Sequence, residues 1–347
     1  MKKSTLFVTG IILILFLTGC TQSTPKISTP PVEALSADLT DTPKVTLPMA
    51  VTKSPSPISD IYTPTTIVST TSSNATQTSP QSEDMEPSQT PTAIETKPAL
   101  RYWKFYPVIP EVSDNVVEIY QRGLELGNDP HAYSKIGDCG STPAWFLGDF
   151  DRGSDFYDLG DYQDLNTVVK IFQGSHGRTS LAARSGFNAS SLFVTLWADR
   201  KLCDSDETPL LCEQRIHKPS FVFIMLGTND IYHPEDFEPQ MRNIIEFFLE
   251  NGVIPILSTK ADNEEGDHSI NATIARLAYE YDIPLWNYWL AIQELPNHGL
   301  QEDGVHLTWG RNFFDDPNAM EKAWPIRNLT ALQVLDKVWR KAAGVIQ

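Results

Sequence analysis

Six apolar residues follow one another from Phe221 to Leu226, and this run constrains the fold more than any other stretch of the chain. A strand with one exposed face alternates apolar and polar residues, whereas a strand buried on both faces is apolar throughout. The crossover helices of a parallel sheet cover both of its faces. The run therefore predicts the central strand of such a sheet, with Gly227 and Asn229 at its carboxyl end.

Short apolar runs and segments of helical period alternate along much of the remaining chain. Strands are predicted at residues 132–136, 181–184 and 253–257, and helices at 116–124, 190–197, 237–250 and 329–341. Strands that alternate with helices pair in parallel, because each return to the same edge of the sheet needs a crossover. The sequence thus predicts an α/β fold, a three-layer α/β/α sandwich with a parallel sheet.

The first twenty residues have the pattern of an export signal. Lys2 and Lys3 precede an apolar run at residues 6–17, which is short for a membrane span. Leu17-Thr18-Gly19-Cys20 resembles the bacterial lipobox, which implies cleavage before Cys20 and a lipid on its sulfur. We expect residues 1–20 to be a lipoprotein signal peptide, and an ordinary signal with an incidental cysteine is the alternative.

A segment rich in Ser, Thr and Pro and poor in aromatic residues follows at 21–100. Such a segment buries too little apolar surface to offset the entropy of ordering the chain. We therefore predict a disordered tether at 21–100 and a folded domain at 101–347. The lipid and the tether would hold that domain on the extracytoplasmic side of a bacterial cell membrane.

The formal net charge of −17 bears on the partners of the chain. Phosphate backbones bind basic surfaces, so this charge argues against a nucleic-acid partner. The sequence has no cluster of His and Asp residues with the spacing of metal ligands. We accordingly predict no metal site and no other cofactor.

Four cysteines occur in this chain, which is predicted to be exported. Cys203 and Cys212 flank a polar loop, and an oxidising compartment favours a disulfide between them. If Cys20 carries the lipid, this pairing leaves Cys139 as the odd thiol. A disulfide from Cys139 to either of the other two remains open from the sequence.

Cys139 occurs where a predicted strand runs into a tight turn. The strand at 132–136 leads into Gly137-Asp138-Cys139, and residues 143–147 are predicted to begin a helix. The N-terminus of a helix supplies free N–H groups and the positive end of a dipole, which would acidify a thiol placed there. We expect Asp138 to tie down the turn and Cys139 to be reactive.

Four short motifs occur in sequence along the predicted domain. They are Gly137-Asp138-Cys139, Arg184-Ser185-Gly186-Phe187-Asn188-Ala189, Leu226-Gly227-Thr228-Asn229-Asp230 and Asp303-Gly304-Val305-His306. In this order they resemble the motifs of the SGNH or GDSL-type hydrolases, and the resemblance covers residues 115–345. It implies the flavodoxin-like sheet of that family. The family has a nucleophilic serine at the position of Cys139.

The resemblance implies an acyl-transfer site at the carboxyl edge of the sheet, where open parallel sheets bind ligands. Cys139 would be the nucleophile, His306 the general base, and Asp303 the group that fixes the imidazole tautomer. The N–H groups of Cys139 and Gly186 and the side-chain amide of Asn229 would form the oxyanion hole.

A cysteine at the nucleophile position affects the reaction that we expect. A thiolate leaves a tetrahedral adduct more readily than an alkoxide does, so thioesters and activated esters are easier substrates than ordinary oxygen esters. Ser141 is the alternative nucleophile, and we rank it below Cys139 because it lies two positions further along the turn.

The sequence predicts an envelope-anchored esterase or acyltransferase that acts on a small acyl ester or an acylated glycan. The glycan is suggested by Trp145, Trp286, Trp289 and Trp309, which lie near the motifs in sequence, although core packing explains most such residues. The alternative is an SGNH-fold lipoprotein that binds a glycan or another ligand with little or no turnover.

Overall fold

The computed structural model describes residues 100–345. The predicted signal peptide, the Cys20 lipobox and residues 21–99 of the predicted tether lie outside this range. Within it, every helix is too short or too polar to cross a bilayer.

The strands of the described range are β1 (Asp129–Gly137), β2 (Tyr157–Asp158), β3 (Pro219–Met225), β4 (Ile254–Ser258), β5 (Leu285–Trp286) and β6 (Asn312–Phe313). The main sheet has the order β1-β3-β4-β5 with all pairs parallel, and β2 pairs with β6 in a separate parallel ribbon. Strand β3 contains most of the apolar run and lies between β1 and β4, and each of its residues is buried. The predicted central strand is confirmed.

The α-helices of the described range are α1 (Asn115–Glu125), α2 (Asn166–Ile171), α3 (Pro209–His217), α4 (Pro234–Glu250), α5 (Ser269–Glu280), α6 (Tyr288–Ala291), α7 (Pro317–Met320) and α8 (Ala323–Ala343). Helix α1 packs against α8, whereas α4 packs against α5 and β4. The helices predicted at 116–124, 237–250 and 329–341 are confirmed as α1, α4 and α8, which begin or end a few residues further out.

Side chains of β3 alternate between two covered faces of the sheet. The ring of Phe221 lies 5.7 Å from that of Tyr120 on α1 and 5.5 Å from that of Phe172 at the end of α2. Val222 and Ile224 point to the opposite face, because successive side chains of a strand alternate, and both are also buried. Helices α3, α4 and α5 pack beside β1 and β4. The predicted three-layer α/β/α sandwich with a parallel sheet is confirmed.

The prediction of a helix that begins at 143–147 is wrong, because the chain turns back on itself there. A single turn of 3₁₀ helix covers Cys139–Ser141, and residues 143–147 form turns. Leu147 takes a left-handed conformation with φ 61°, which ends any helical run. Gly148 then packs so closely on Pro143 that a Cβ on this glycine would lie 1.9 Å from the Pro143 carbonyl oxygen.

Two further predictions are only partly right. Residues 190–197 form two short 3₁₀ helices, Ala189–Phe193 and Thr195–Trp197, instead of one α-helix. The strand predicted at 181–184 is reduced to one parallel bridge between Ala183 and Gly137. That bridge still places the second motif beside the end of β1, on the side away from β3.

The predicted disulfide between Cys203 and Cys212 is confirmed. It joins the loop before α3 to the helix itself. Cys139 lies outside this bond, so its pairing with either of these two cysteines is excluded.

Candidate active site

The first motif forms a tight turn at the carboxyl end of β1. Asp138 accepts a hydrogen bond from the Gly140 N–H at Oδ1 over 2.9 Å, as expected for a residue that ties down the turn. A Cβ on Gly137 would lie 2.2 Å from Ser141 Oγ and 2.4 Å from the Met225 carbonyl oxygen, so only glycine fits there. Cys139 is half-buried at the start of the following 3₁₀ turn.

Ser141 occupies the inner side of the same turn. Its side chain is completely buried, and Oγ has no hydrogen-bond partner among residues 100–345. A substrate reaches the half-buried Cys139 more easily than a hydroxyl enclosed beneath Gly137. The exposure of the two side chains thus favours Cys139 over Ser141 as nucleophile.

The fourth motif forms a compact loop that orients His306. The imidazole Nδ1 lies 2.6 Å from Asp303 Oδ2, and Asp303 Oδ1 accepts the N–H groups of His306 and Val305 over 2.9 and 3.0 Å. These backbone hydrogen bonds are the main reason that the pKa of Asp303 falls to about 2. An ionised carboxylate on Nδ1 leaves Nε2 as the nitrogen that can exchange a proton with a substrate.

The charge of His306 acts on the first motif. Burial raises the pKa of the Asp138 carboxyl, and Asp262 raises it further, whereas Arg327, the Gly140 N–H and His306 lower it. His306 therefore lies within electrostatic reach of the residue next to Cys139.

Helix α8 connects the His306 loop to the Cys139 turn. At its start, Trp324 donates its backbone N–H to the Thr308 carbonyl over 3.2 Å. One turn later, Arg327 donates from Nη1 to the Gly140 carbonyl over 2.8 Å. The relative position of the two motifs thus depends on the first turns of α8.

The second and third motifs bring two of the predicted oxyanion residues, Gly186 and Asn229, close together. Asn229 donates from Nδ2 to the Phe187 carbonyl over 3.0 Å, which places its amide next to Gly186. A primary amide has two N–H groups, so a second donor remains for a ligand. Gly186 is exposed with φ +82°, and a Cβ there would meet no atom within 4 Å.

Asp230 fastens these two motifs to each other. Its carboxylate accepts the Ala189 N–H over 2.8 Å and the Gly227 N–H over 3.0 Å. Burial is the largest of the causes that raise its pKa to about 6. The carboxylate therefore links two loops that lie about forty residues apart in sequence.

The sequence analysis did not assign roles to three polar side chains near the motifs. Thr228 donates to Asp262 over 2.7 Å, and Lys260 pairs with Asp262 over 2.5 Å. Arg327, the third side chain after Lys260 and Asp262, reaches the first motif from α8. Asp262 and Arg327 contact the motifs from segments more than thirty residues away, so spacing within one segment gave no signal for them.

Two groups in the described range have potential ligand atoms close together. Cys203 and Cys212 lie near Glu207, but their sulfurs are joined in the disulfide. His233, Glu235 and Asp236 are exposed at the start of α4. Neither group includes a residue of the four motifs.

The described residues form the parallel α/β/α sandwich that the resemblance to the SGNH-type hydrolases implies. No protein-family model matches the sequence, and no curated protein matches it. The chain is similar to a GDSL-like lipase from Bacteroides thetaiotaomicron, with 18% identity and a TM-score of 0.37 over 65% of this chain and 98% of that chain. A putative acylhydrolase from Bacteroides fragilis has 17% identity and a TM-score of 0.37 over 66% and 100% of the two chains. An acetylxylan esterase from Geobacillus stearothermophilus, solved as a catalytic mutant, has 15% identity and a TM-score of 0.38 over 60% and 95%. These likenesses are distant.

Proposed function

We propose that this chain is an acyl-ester hydrolase or acyltransferase with Cys139 as nucleophile, His306 as general base and Asp303 as its orienting carboxylate. The observation that carries the proposal is the Asp303–His306 pair at 2.6 Å, in a loop that α8 ties to the Cys139 turn. A nucleophile, a base and an orienting group are the parts that acyl transfer needs.

In the proposed reaction, His306 takes the thiol proton of Cys139, the resulting thiolate attacks the carbonyl carbon, and the carbonyl π electron pair moves onto oxygen. The N–H groups of Cys139 and Gly186 and the amide of Asn229 would stabilise that oxyanion. Collapse of the adduct breaks the carbon–oxygen bond, and the imidazolium of His306 gives its proton to the leaving alcohol. Water, deprotonated by His306, then attacks the thioester and releases the carboxylic acid and the thiolate.

The thiolate limits which esters turn over well. It is a better leaving group than an alkoxide, so the first adduct reverts unless His306 protonates the alcohol promptly. We infer that thioesters and activated esters react faster than alkyl esters. If an acceptor hydroxyl replaces water in the second step, the same thioester gives acyl transfer.

Three tryptophans near the Cys139 turn support an acylated glycan as the substrate. The ring of Trp145 stacks on that of Trp324 at 5.4 Å and 22°, and its side chain remains 42% exposed. Trp324 reaches the turn, where its Cη2 would lie 3.5 Å from a Cβ on Gly140. Trp309 is 63% exposed and directly follows Thr308, whose carbonyl accepts the backbone N–H of Trp324. The exposed indole faces of Trp145 and Trp309 suit the apolar faces of sugar rings.

The other tryptophans suggested by the sequence do not add to this surface. Trp286 is completely buried in the core, and Trp289 packs with Trp103, the ring centroids being 5.2 Å apart.

We further propose that the lipid on Cys20 anchors the protein to the bacterial cell membrane, with the domain on the extracytoplasmic side. The lipobox motif supports this location.

A lipoprotein that binds a glycan or another ligand without turnover is the second candidate function. The cysteine in place of serine favours it, because an ordinary ester gives an adduct that reverts from a thiolate. Both functions would use the surface around the Cys139 turn, and they differ only in whether Cys139 is acylated.

Turnover of p-nitrophenyl acetate by purified residues 101–347 and by three variants separates the two functions. We expect Cys139→Ala to abolish turnover, Cys139→Ser to retain some, and the control Ser141→Ala to stay within about threefold of the wild type if it remains folded. Release of p-nitrophenol by the wild type at the rate of buffer alone would rule out the enzyme and leave the binding function. Equal rates above that level in the wild type and Cys139→Ala would reject Cys139 as the nucleophile.

A further inference from the structure

A buried guanidinium lies against the Cys139 turn. Arg327 on α8 is 8% exposed, and its Nη1 donates to the Gly140 carbonyl, one residue after the proposed nucleophile. Its second terminal nitrogen lies 3.1 Å from the sulfur of Met225, at the end of β3. The charged group is therefore enclosed between the ends of two strands and the turn that they support.

Aromatic faces surround this cation, and no carboxylate within the described range forms a salt bridge with it. The guanidinium carbon lies 5.0 Å from the ring centre of Phe146, 5.1 Å from that of Trp324 and 5.5 Å from that of Tyr288. Its Nε has no hydrogen-bond partner among residues 100–345. A buried cation is stable only when cation–π contacts and nearby negative charge offset its lost hydration.

Two groups of the turn supply negative charge to Arg327. Burial lowers the pKa of Arg327, whereas Tyr288, Asp138 and Cys139 raise that pKa when they are ionised. An electrostatic interaction is mutual, so a cation that is stabilised by the thiolate stabilises the thiolate to the same extent.

We propose that Arg327 is the positioning residue that holds Cys139 as a thiolate, in the role that the sequence had assigned to the dipole of a following helix. The 3₁₀ segment after Cys139 has only a single turn, so it has little dipole to offer. The fixed charge on α8 replaces it and also holds the turn through the Gly140 carbonyl. This inference rests on the proposed function for its catalytic meaning, although the state of the thiol is measured without a substrate.

Of the other charged groups around the turn, some favour and some oppose ionisation of the Cys139 thiol. Asp138 lies next to the thiol, and Asp230 and Asp262 are close enough to interact electrostatically with Asp138, so these three carboxylates disfavour a second negative charge. His306 also interacts with Asp138 and favours the thiolate when it is protonated. Arg327 stays charged at every working pH, so its effect on the thiol does not disappear as His306 loses its proton.

The test is the pH dependence of Cys139 alkylation by iodoacetamide in the full chain and in three variants, measured by mass spectrometry of the peptide that contains Cys139. We expect the wild-type thiol to react with a midpoint below the ordinary cysteine pKa of about 8.5. Arg327→Met should move that midpoint up by about one pH unit or more, whereas Arg327→Lys, which keeps the charge, should move it by less than half as much. The matched control is Arg340→Met on the same helix, where Arg340 pairs with Asp336 over 2.7 Å, and it should not move the midpoint.

A turn held only mechanically by Arg327 would give a different result. The urea midpoint would fall in Arg327→Met, but the alkylation midpoint of the folded protein would stay at the wild-type value, and the proposal would be overturned. If Arg327→Met does not fold, the wild-type protein provides the test. The difference in thiolate absorbance between the wild type and Cys139→Ala is measured as a function of pH, and its midpoint must lie below about 8.5. A midpoint at or above that value contradicts the proposal.

The two proposals fail separately. A midpoint that depends on Arg327 in a protein without ester turnover would keep this inference and reject the enzyme. Turnover that requires Cys139 with a midpoint independent of Arg327 would keep the enzyme and reject this inference.

Discussion

Arg327 and Gly140 are joined by a hydrogen bond of 2.8 Å, although 187 residues separate them in sequence. The bond fastens α8 to the turn after β1, and the neighbouring Trp324 fastens the same helix to Thr308 in the His306 loop. One helix thereby fixes the distance between the proposed nucleophile and the proposed base. Changes to this helix should affect activity through geometry, even where the substrate does not touch it.

Substitution of Gly137 should damage the turn by a steric clash. In Gly137→Ala, the new methyl group would lie 2.2 Å from Ser141 Oγ and 2.4 Å from the Met225 carbonyl, and we expect a loss of at least about 2 kcal/mol in the free energy of unfolding. Urea unfolding measures this loss. Gly153→Ala is the control, because Gly153 also has positive φ but open space around it, and about 1 kcal/mol is expected there. Equal losses in the two variants would contradict the clash.

Replacement of Asp303 should affect catalysis much more than stability. In Asp303→Asn, an amide N–H₂ group faces His306 Nδ1 and selects the wrong tautomer, so kcat should fall roughly 10²- to 10⁴-fold. The pair is half-exposed, so the free energy of unfolding should change by less than about 1 kcal/mol. Esterase kinetics and urea unfolding give the two quantities, with Glu302→Gln as the neighbouring control. Unchanged kcat in a folded Asp303→Asn would reject the orienting role.

The buried carboxyl of Asp230 should make stability depend on pH. Its pKa is about 6 in the folded protein, against an ordinary value of 3.8, so between these values the folded state binds more protons than the unfolded state. Rising pH therefore removes stability across this window, by up to about 2–3 kcal/mol. We expect the free energy of unfolding of the wild type minus that of Asp230→Asn to fall from pH 4 to pH 6. A difference that is flat or rises over this window would contradict the assignment.

Loss of the Trp145 face should weaken binding of glycan substrates only. With an acetylated oligosaccharide, Trp145→Ala should raise KM about three- to tenfold, because a stacking contact is lost, and turnover of p-nitrophenyl acetate should change little. Tyr279→Ala is the control, since Tyr279 is 43% exposed near the far end of α5. Equal KM values for wild type and Trp145→Ala on the oligosaccharide would reject the sugar-binding surface.

The sheet and the motif positions were predictable because they depend on local patterns. The apolar run of β3 requires two covered faces, and Gly227 and Asn229 follow it directly. The Asp303–His306 contact was also within reach of sequence, because both residues lie in one short loop. Sequence patterns of this kind predict interactions between residues that are close together in the chain.

The parts that sequence analysis missed depend on contacts between distant segments. Arg327 occurs in an amphipathic helix, where an arginine is usually solvated, and only its burial against the Gly140 turn gives it a role. The helix predicted after Cys139 fails because Leu147 and Gly148 turn the chain back onto Pro143, a contact that no periodicity encodes.

The central claim is that Cys139 carries the acyl group, and trapping that group tests it most directly. Wild-type protein is mixed with p-nitrophenyl acetate, quenched in acid and digested, and the peptides are weighed by mass spectrometry. We predict one acetyl group on the peptide that contains Cys139, removable by neutral hydroxylamine as a thioester is, and no such group in Cys139→Ala. An acetyl group on Ser141, or turnover of the ester with Cys139 unmodified throughout, would contradict the account.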